Sequence, residues 1–232
     1  MKKILYFAAA LLAVCACNFI TVDGKSLDEK ISKKSRFIAS KTIIEKTFDV
    51  EKFDRIDCAG SFDIDYTAGP CYLNIAAPDN VLEHIIVEVE NGCLKVKMDK
   101  SFRIINLQKI QMTVHCPKLN GVSISGAGDF KAVNGIKSDD LNVRISGAGD
   151  FEANGIKADN ISISISGAGD VEAENIDCGK ISANISGAGD IELSGKAKTA
   201  DIRISGAGDI DIRNLKADNT DTRISGAGKV YR

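Results

Sequence analysis

Five aspartates recur at near-constant spacing in the C-terminal half of this 232-residue chain: Asp129, Asp150, Asp170, Asp190 and Asp209. A column of carboxylates is suited to capturing cations. Calcium takes oxygen ligands, and calcium-binding β-helix repeats carry Gly-Gly-x-Gly-x-Asp every nine residues. Here the period is about 20 and the motif is shorter. A row of calcium ions is therefore one reading of the column, and recognition of a basic or sugar ligand is another. The plainer alternative is that each carboxylate accepts hydrogen bonds from turn amides and lies in water. On strands roughly 4.8 Å apart, neighbouring carboxylates repel by about 0.9 kcal/mol even at the dielectric of water. Something must offset that charge.

Little else in the chain carries chemistry. His84 and His115 lie in an irregular stretch without a nearby nucleophile motif. There is no Gly-x-Ser-x-Gly elbow, phosphate loop, CxxC or Cys/His cluster, so nucleophilic, nucleotide and structural-zinc chemistries lack their usual residues. Evenly repeated carboxylates also make a poor acid–base pair, because catalysis needs two groups in environments that separate their pKa values. The expectation is a non-catalytic protein. A polysaccharide lyase or hydrolase with its site in the irregular half, around residues 66–118, is the alternative. The formal net charge of −2, with acidic and basic residues mixed, argues against a nucleic-acid partner.

The chain opens with Lys2, Lys3 and the nearly continuous apolar run Ile4–Ala16, too short to span a membrane and shaped like a secretory signal. It closes on Val14-Cys15-Ala16-Cys17, which resembles a bacterial lipobox. Cys17 is the better lipidation site because small Ala16 precedes it, whereas bulky Val14 precedes Cys15. Cleavage after residue 16 takes the net charge from −2 to −4. The expected domains are a signal at 1–16, a lipidated Cys17 with a polar, basic tether to residue 45, and a folded domain over 46–232. The expected location is the cell envelope, lipid-anchored in a Gram-negative outer membrane and facing either side. The remaining cysteines are Cys58, Cys71, Cys93, Cys116 and Cys178. Export permits disulfides, and an odd count leaves one thiol free. Cys93 and Cys116 would bridge if their strands pair.

The aspartates close a hexapeptide, Ile-Ser-Gly-Ala-Gly-Asp, that begins at Ile124, Ile145, Ile165, Ile185 and Ile204 and returns at Ile224 with Lys229 in the last place. A fixed period of this size marks stacked repeats. Each copy reads as one corner on successive coils of an all-β, single-stranded parallel β-solenoid, with right-handed winding expected. Equivalent positions form apolar columns such as Ile124/Ile145/Ile165 and Phe130/Phe151/Val171, which one coil cannot bury but a stack can. Two glycines around one alanine allow positive φ and leave no side chain against the next rung. Serines 125, 146, 166, 186, 205 and 225 should form a hydroxyl ladder. Asn154-Gly155 and Asp159-Asn160 supply the other bends.

Upstream, Phe53, Ile56, Phe62, Ile64 and Tyr66 alternate as a half-buried strand should. Matching Ile56 to Ile124 puts Ala59-Gly60 on Ala127-Gly128, as a degenerate first corner. The 68-position step from Ile56 to Ile124 then divides into about three irregular coils. Within them Tyr72–Ala76 and Ile110–Val114 read as strands, Val81–Ile85 as a short helix or loop, and Asn91-Gly92 as a hairpin turn. At the far end Thr220, Thr222, Lys229 and Arg232 put polar side chains on the terminal rung, which blunts an open sheet edge; an edge used for end-to-end dimerisation is the alternative.

Residues from about 45 to 229 resemble the auto-transporter adhesin head GIN domain of bacterial lipoproteins. The resemblance is carried by Phe53, Ile56, Gly60, Phe62-Asp63-Ile64, Gly69, Asn91-Gly92 before Leu94, and the Ser-Gly-Ala-Gly-Asp corners. It implies a β-solenoid on an exported, often lipidated protein that meets a glycan or protein, and it supplies no catalytic residues. Cys58, Cys71, Cys93 and Cys116 lie outside the family pattern.

Overall fold

The structure is a computed structural model that describes residues 21–22, 25–26 and 35–232. The expected signal segment and Cys17 lie outside the described residues. The chain falls into two units, Met1–Ser35 and Arg36–Arg232. In the first, the described elements are the short antiparallel pair Thr21–Val22 and Lys25–Ser26. The second is a parallel β-solenoid of about six turns.

From residue 121 onward the coils stack in the register the repeats predict. Ile124 lies beside Ile145, and the column continues through Ile165, Ile185, Ile204 and Ile224. A second column runs Phe130, Phe151, Val171, Ile191, Ile210 and Val230. All but the last member of each column are buried. Phe130 and Phe151 stack with ring centroids 5.0 Å apart and planes 3° from parallel, and Tyr66 extends the stack at 5.9 Å. The 19-residue coil is absorbed by a bulge between Ala173 and Ile176. On the terminal rung Ile224 is 48% exposed, and Thr220 and Thr222 stand where Ile161 and Ile163 stand three coils earlier.

The corner owes its glycines to stacking alone. None of the glycines in the Ser-Gly-Ala-Gly corners has positive φ; that conformation falls at the second bend, on Gly135 (84°), Gly155 (86°) and Asn175 (50°), and at Gly60 (151°) on the first rung. A Cβ on Gly147 would lie 1.8 Å from the carbonyl oxygen of Gly126, and one on Gly149 would lie 1.9 Å from that of Gly128. The same collision repeats at Gly167, Gly187, Gly206 and Gly226. Backbone thus rests directly on backbone. The corner amides serve the ladder between rungs, Ser146 N–H donating to the Ile124 carbonyl at 2.9 Å and Ala148 N–H to the Gly126 carbonyl at 2.8 Å. The serine hydroxyls donate along the stack as well, for instance Ser186 to the Ile165 carbonyl at 3.3 Å.

The N-terminal half differs from the expected three irregular coils. Arg55–Ala59 and Phe62–Ala68 form the first rung, and they sit directly beside Gly121–Ile124 and Phe130–Ala132. The intervening residues leave the stack and fold over its end. Cys93–Met98 adds to Arg55–Ala59 in parallel and pairs antiparallel with Ile85–Glu90 across the Asn91-Gly92 turn, where both residues have positive φ. Ile110–Cys116 runs parallel to Phe62–Ala68 and antiparallel to Tyr72–Pro78, which pairs in turn with Ile43–Phe48. A short helix, Asp79–Leu82, buries Val81 and Leu82 against this cap. Two parallel strands laid on the first rung, each backed by an antiparallel partner, cover an edge that would otherwise invite pairing with another chain.

The first rung's register is shifted by two residues from the sequence match. Cys58 lies beside Ile124, and Ile64 beside Phe130; Gly60 therefore underlies Gly126. A slip of two preserves which side chains point inward, so the apolar alternation that guided the match could not detect it.

Replacing Gly167 by Ala forces a Cβ into the Gly147 carbonyl and should cost about 3 kcal/mol or more in urea unfolding. Gly155→Ala meets only ordinary contact at 3.6 Å and should cost about 1 kcal/mol for its left-handed φ. Equal losses would contradict backbone-on-backbone stacking.

Candidate functional site

The aspartate column is a ladder of charge-assisted hydrogen bonds. Oδ1 of Asp129 accepts the backbone N–H of Asp150 at 3.1 Å, and Asp150 accepts that of Asp170 at 2.8 Å. Asp170 accepts from Asp190 at 2.7 Å, Asp190 from Asp209 at 2.6 Å, and Asp209 from Lys229 at 2.7 Å. A bond from an amide to a carboxylate contributes about 1.5–3 kcal/mol, more than the repulsion between neighbouring rungs. The corner geometry therefore supplies the offset that the charges require.

The column begins one rung earlier than the repeats indicate. With Cys58 beside Ile124, Asp63 falls beside Asp129, and its Oδ1 accepts the Asp129 N–H at 3.2 Å. Asp63 lies five positions after Cys58, as Asp129 lies five after Ile124; that was the available signal, masked by the Ala59-Gly60 match. Lys109 from the cap bridges Asp63 and Asp129 and closes the column at this end.

A second acidic column stands beside the first, unnoticed in the sequence. Two residues after each aspartate the strand returns to the same outward face, which places Glu152, Glu172, Glu192 and Asp211 in register. The two columns bank a shallow trough of about 470 Å³, closed by Arg213 and Tyr231, on strands that bury Phe151, Val171 and Ile191 on their other face. Lys131 pairs with Glu152 at 2.6 Å and Arg213 pairs with Asp211. Hydrogen bonds from Arg213 hold the Asp211 carboxyl below its usual range. The Tyr231 hydroxyl lies 3.2 Å from Asp209 Oδ2. Among the described residues no cation pairs with Asp150, Asp170, Asp190, Glu172 or Glu192, so the middle of the trough carries uncompensated negative charge.

Among the described residues no three His, Cys, Asp or Glu side chains converge as a metal site would require. The histidines pack in aromatic clusters: His84 lies against Phe102 and Phe37 with centroids 4.0 and 5.0 Å away, and His115 lies 5.2 Å from Tyr72. A hollow near the irregular half, about 570 Å³, is lined by Ile38, Ser40, Lys41, Pro78, Asn106, Lys109 and neighbouring apolar and amide side chains, without a carboxylate. The condition for a Cys93–Cys116 bridge is not met: Cys93–Met98 pairs with Arg55–Ala59 and Ile85–Glu90, whereas Ile110–Cys116 pairs with Phe62–Ala68 and Tyr72–Pro78. All five described cysteines are free thiols. Burial raises the thiols of Cys178, to about 11, and of Cys58, still higher. No described helix is long and apolar enough to cross a membrane.

Asp170→Asn keeps an acceptor for the Asp190 amide and removes like-charge repulsion, whereas Asp170→Ala removes both. At low salt the Asn variant should match or exceed the parent in urea unfolding, and the Ala variant should lose about 1 kcal/mol. Raising salt should narrow the gap between parent and Asn variant as screening grows.

Comparison with known proteins agrees with this geometry. A family described as "Putative auto-transporter adhesin, head GIN domain" matches residues 52–174 and again 149–231; the two overlapping matches span the first rung, the repeats and the cap apart from its strand Ile43–Phe48. The crystal structure of a putative adhesin from Bacteroides fragilis superposes with a TM-score of 0.69 at 28% identity, covering 84% of this chain and 99% of that one. A putative lipid binding protein from Parabacteroides distasonis superposes with a TM-score of 0.79 at 21% identity, covering 84% of each chain, and so shares the fold. A putative adhesin from Parabacteroides merdae does so with a TM-score of 0.56 at 18% identity, covering 85% of this chain and 98% of that one. No curated protein matches. The paired matches over nearly all of the solenoid place this chain in the auto-transporter adhesin head GIN domain family.

Proposed function

We propose that this chain is an exported lipoprotein of the bacterial cell envelope, anchored through Cys17, whose solenoid is a non-catalytic binding scaffold of the adhesin type. The observation that carries this reading is the trough: two columns of equivalent carboxylates on one rigid face, with uncompensated charge in the middle rungs. Such a face presents the same contact every rung and suits an extended ligand with repeated cationic groups, on a protein or an amino-bearing glycan. Binding should be salt-dependent, because exposed charges are screened over about 10 Å at 0.1 M salt. The equivalence of the carboxylates separates no pair into acid and base, and the hollow near the irregular half lacks a carboxylate. Both points weigh against a polysaccharide-cleaving site. The segment that would anchor the chain, Val14-Cys15-Ala16-Cys17, supports the envelope location by its residues alone.

The fragment from Lys25 onward, screened against chitosan-type glycans and polylysine-coated surfaces with and without calcium, should bind without needing the metal. A triple variant Asp170→Asn, Glu172→Gln, Asp190→Asn should weaken that binding at least about tenfold, the equivalent of roughly 1.4 kcal/mol. Turnover of any polysaccharide would defeat the scaffold reading, and a calcium-dependent rise in melting temperature would restore the ion row. In cells, Cys17→Ala should abolish incorporation of labelled palmitate and release the chain from membranes, while Cys15→Ala should not.

A further inference from the structure

The cap brings together two cysteines that lie 45 positions apart in the chain, Cys71 and Cys116. Ile110–Cys116 is the middle of three strands, parallel to Phe62–Ala68 on one side and antiparallel to Tyr72–Pro78 on the other. The residues that join the two outer strands, Gly69 to Cys71, therefore pass over the end of the middle one, where Cys116 sits. The Cys116 carbonyl is held there twice, accepting the Gly69 N–H at 3.2 Å and the Tyr66 hydroxyl at 3.1 Å.

The register makes the meeting direct. Met112 faces Ile75, Val114 faces Leu73 and His115 faces Tyr72; Cys71 immediately precedes Tyr72 and Cys116 immediately follows His115, so the same register carried one step further sets the two cysteines opposite each other. Met112, Val114, Leu73 and Ile75 all point into the core, so by strand alternation both cysteines point to that same side. Cys116 is buried and Cys71 is half-buried against the same core. Residues directly opposed in an antiparallel pair have Cα atoms about 4.5–5.5 Å apart, inside the range of roughly 4.4–6.8 Å that a disulfide spans. In the structure both are thiols, Cys116 Sγ donating to the Lys118 carbonyl at 3.0 Å and Cys71 Sγ to the Phe53 carbonyl at 3.9 Å.

We propose that Cys71 and Cys116 form a disulfide, closed when the chain meets an oxidising compartment; its formation in the cell rests on the export reading above. Cys71, the more accessible of the two, attacks the disulfide of an oxidising carrier, a CxxC-type oxidoreductase in the cell or oxidised glutathione in the test tube. A mixed disulfide forms and one carrier sulfur leaves as thiolate. The Cys116 thiolate then attacks the Cys71 sulfur and expels the second carrier sulfur. Two protons and two electrons pass from the pair to the carrier, which ends as two thiols. Burial pushes the Cys116 thiol up to about 12, so its attack is the slow step. The bridge ties the cap's middle strand to the crossing segment above it.

The test is disulfide mapping by mass spectrometry on the full chain, after acid quenching and alkylation of free thiols. One arm uses protein recovered from an exporting Gram-negative host, the other uses reduced protein treated with oxidised glutathione. Both should yield a Cys71–Cys116 linkage, with Cys58, Cys93 and Cys178 alkylated. Reductant should lower the parent's melting temperature by roughly 10 °C and leave that of Cys71→Ser unchanged. A Cys93–Cys116 linkage, or both thiols alkylated after glutathione treatment, overturns the pairing. A linkage that forms with glutathione but is absent in cells overturns the export reading and upholds the pairing.

Discussion

Backbone resting on backbone at one corner is the contact on which the rest of the molecule depends. Successive corners approach so closely that a single Cβ at Gly147 or Gly167 would sit 1.8 Å from a carbonyl oxygen below. That approach keeps the flanking strands at hydrogen-bonding distance, and those strands carry the apolar columns. The columns in turn require the stack, since a flat coil has no interior until another covers it. Phe130 on Phe151 and the isoleucine column from Ile124 to Ile204 are consequences of a corner held at constant spacing.

The same corner decides what becomes of the aspartates. A column of carboxylates on adjacent strands is unfavourable by itself, yet each here receives a backbone amide from the next rung at 2.6–3.1 Å. One oxygen is committed to the fold. The middle-rung aspartates also line the trough, with no cation paired to them among the described residues. A residue can thus be a structural acceptor and part of a charged surface at once, and an acidic bank costs the fold little. The neighbouring column of Glu152, Glu172 and Glu192 has no such amide ladder and acts on the trough through charge alone.

The two ends of the stack are closed by different means. At the N-terminal end the chain leaves the first rung after Ala68, covers it with two parallel strands backed by antiparallel partners, and returns at Gly121. At the C-terminal end the apolar column gives way to Thr220 and Thr222, and Lys229 replaces the aspartate. The cap is the part of the molecule in which residues distant in sequence become unique neighbours, and it contains three of the five described cysteines, Cys71, Cys93 and Cys116, with Cys58 on the first rung that it covers.

The hexapeptide and its period were enough to establish from the sequence a parallel solenoid, its apolar columns and the stacked aspartates, because a repeat that buries nothing alone has to stack in register. The hairpin at Asn91-Gly92 was legible for a local reason, the left-handed conformation that both residues adopt. The same sequence put positive φ at the wrong bend, since a glycine required for close approach and one required for dihedral freedom are the same letter. The start of the aspartate column at Asp63, the acidic companion column, the cap and the opposition of Cys71 to Cys116 emerged only in three dimensions. Strand alternation has a period of two, so a two-residue slip leaves the inward pattern unchanged, and only hydrogen bonds between chain-distant rungs select the register.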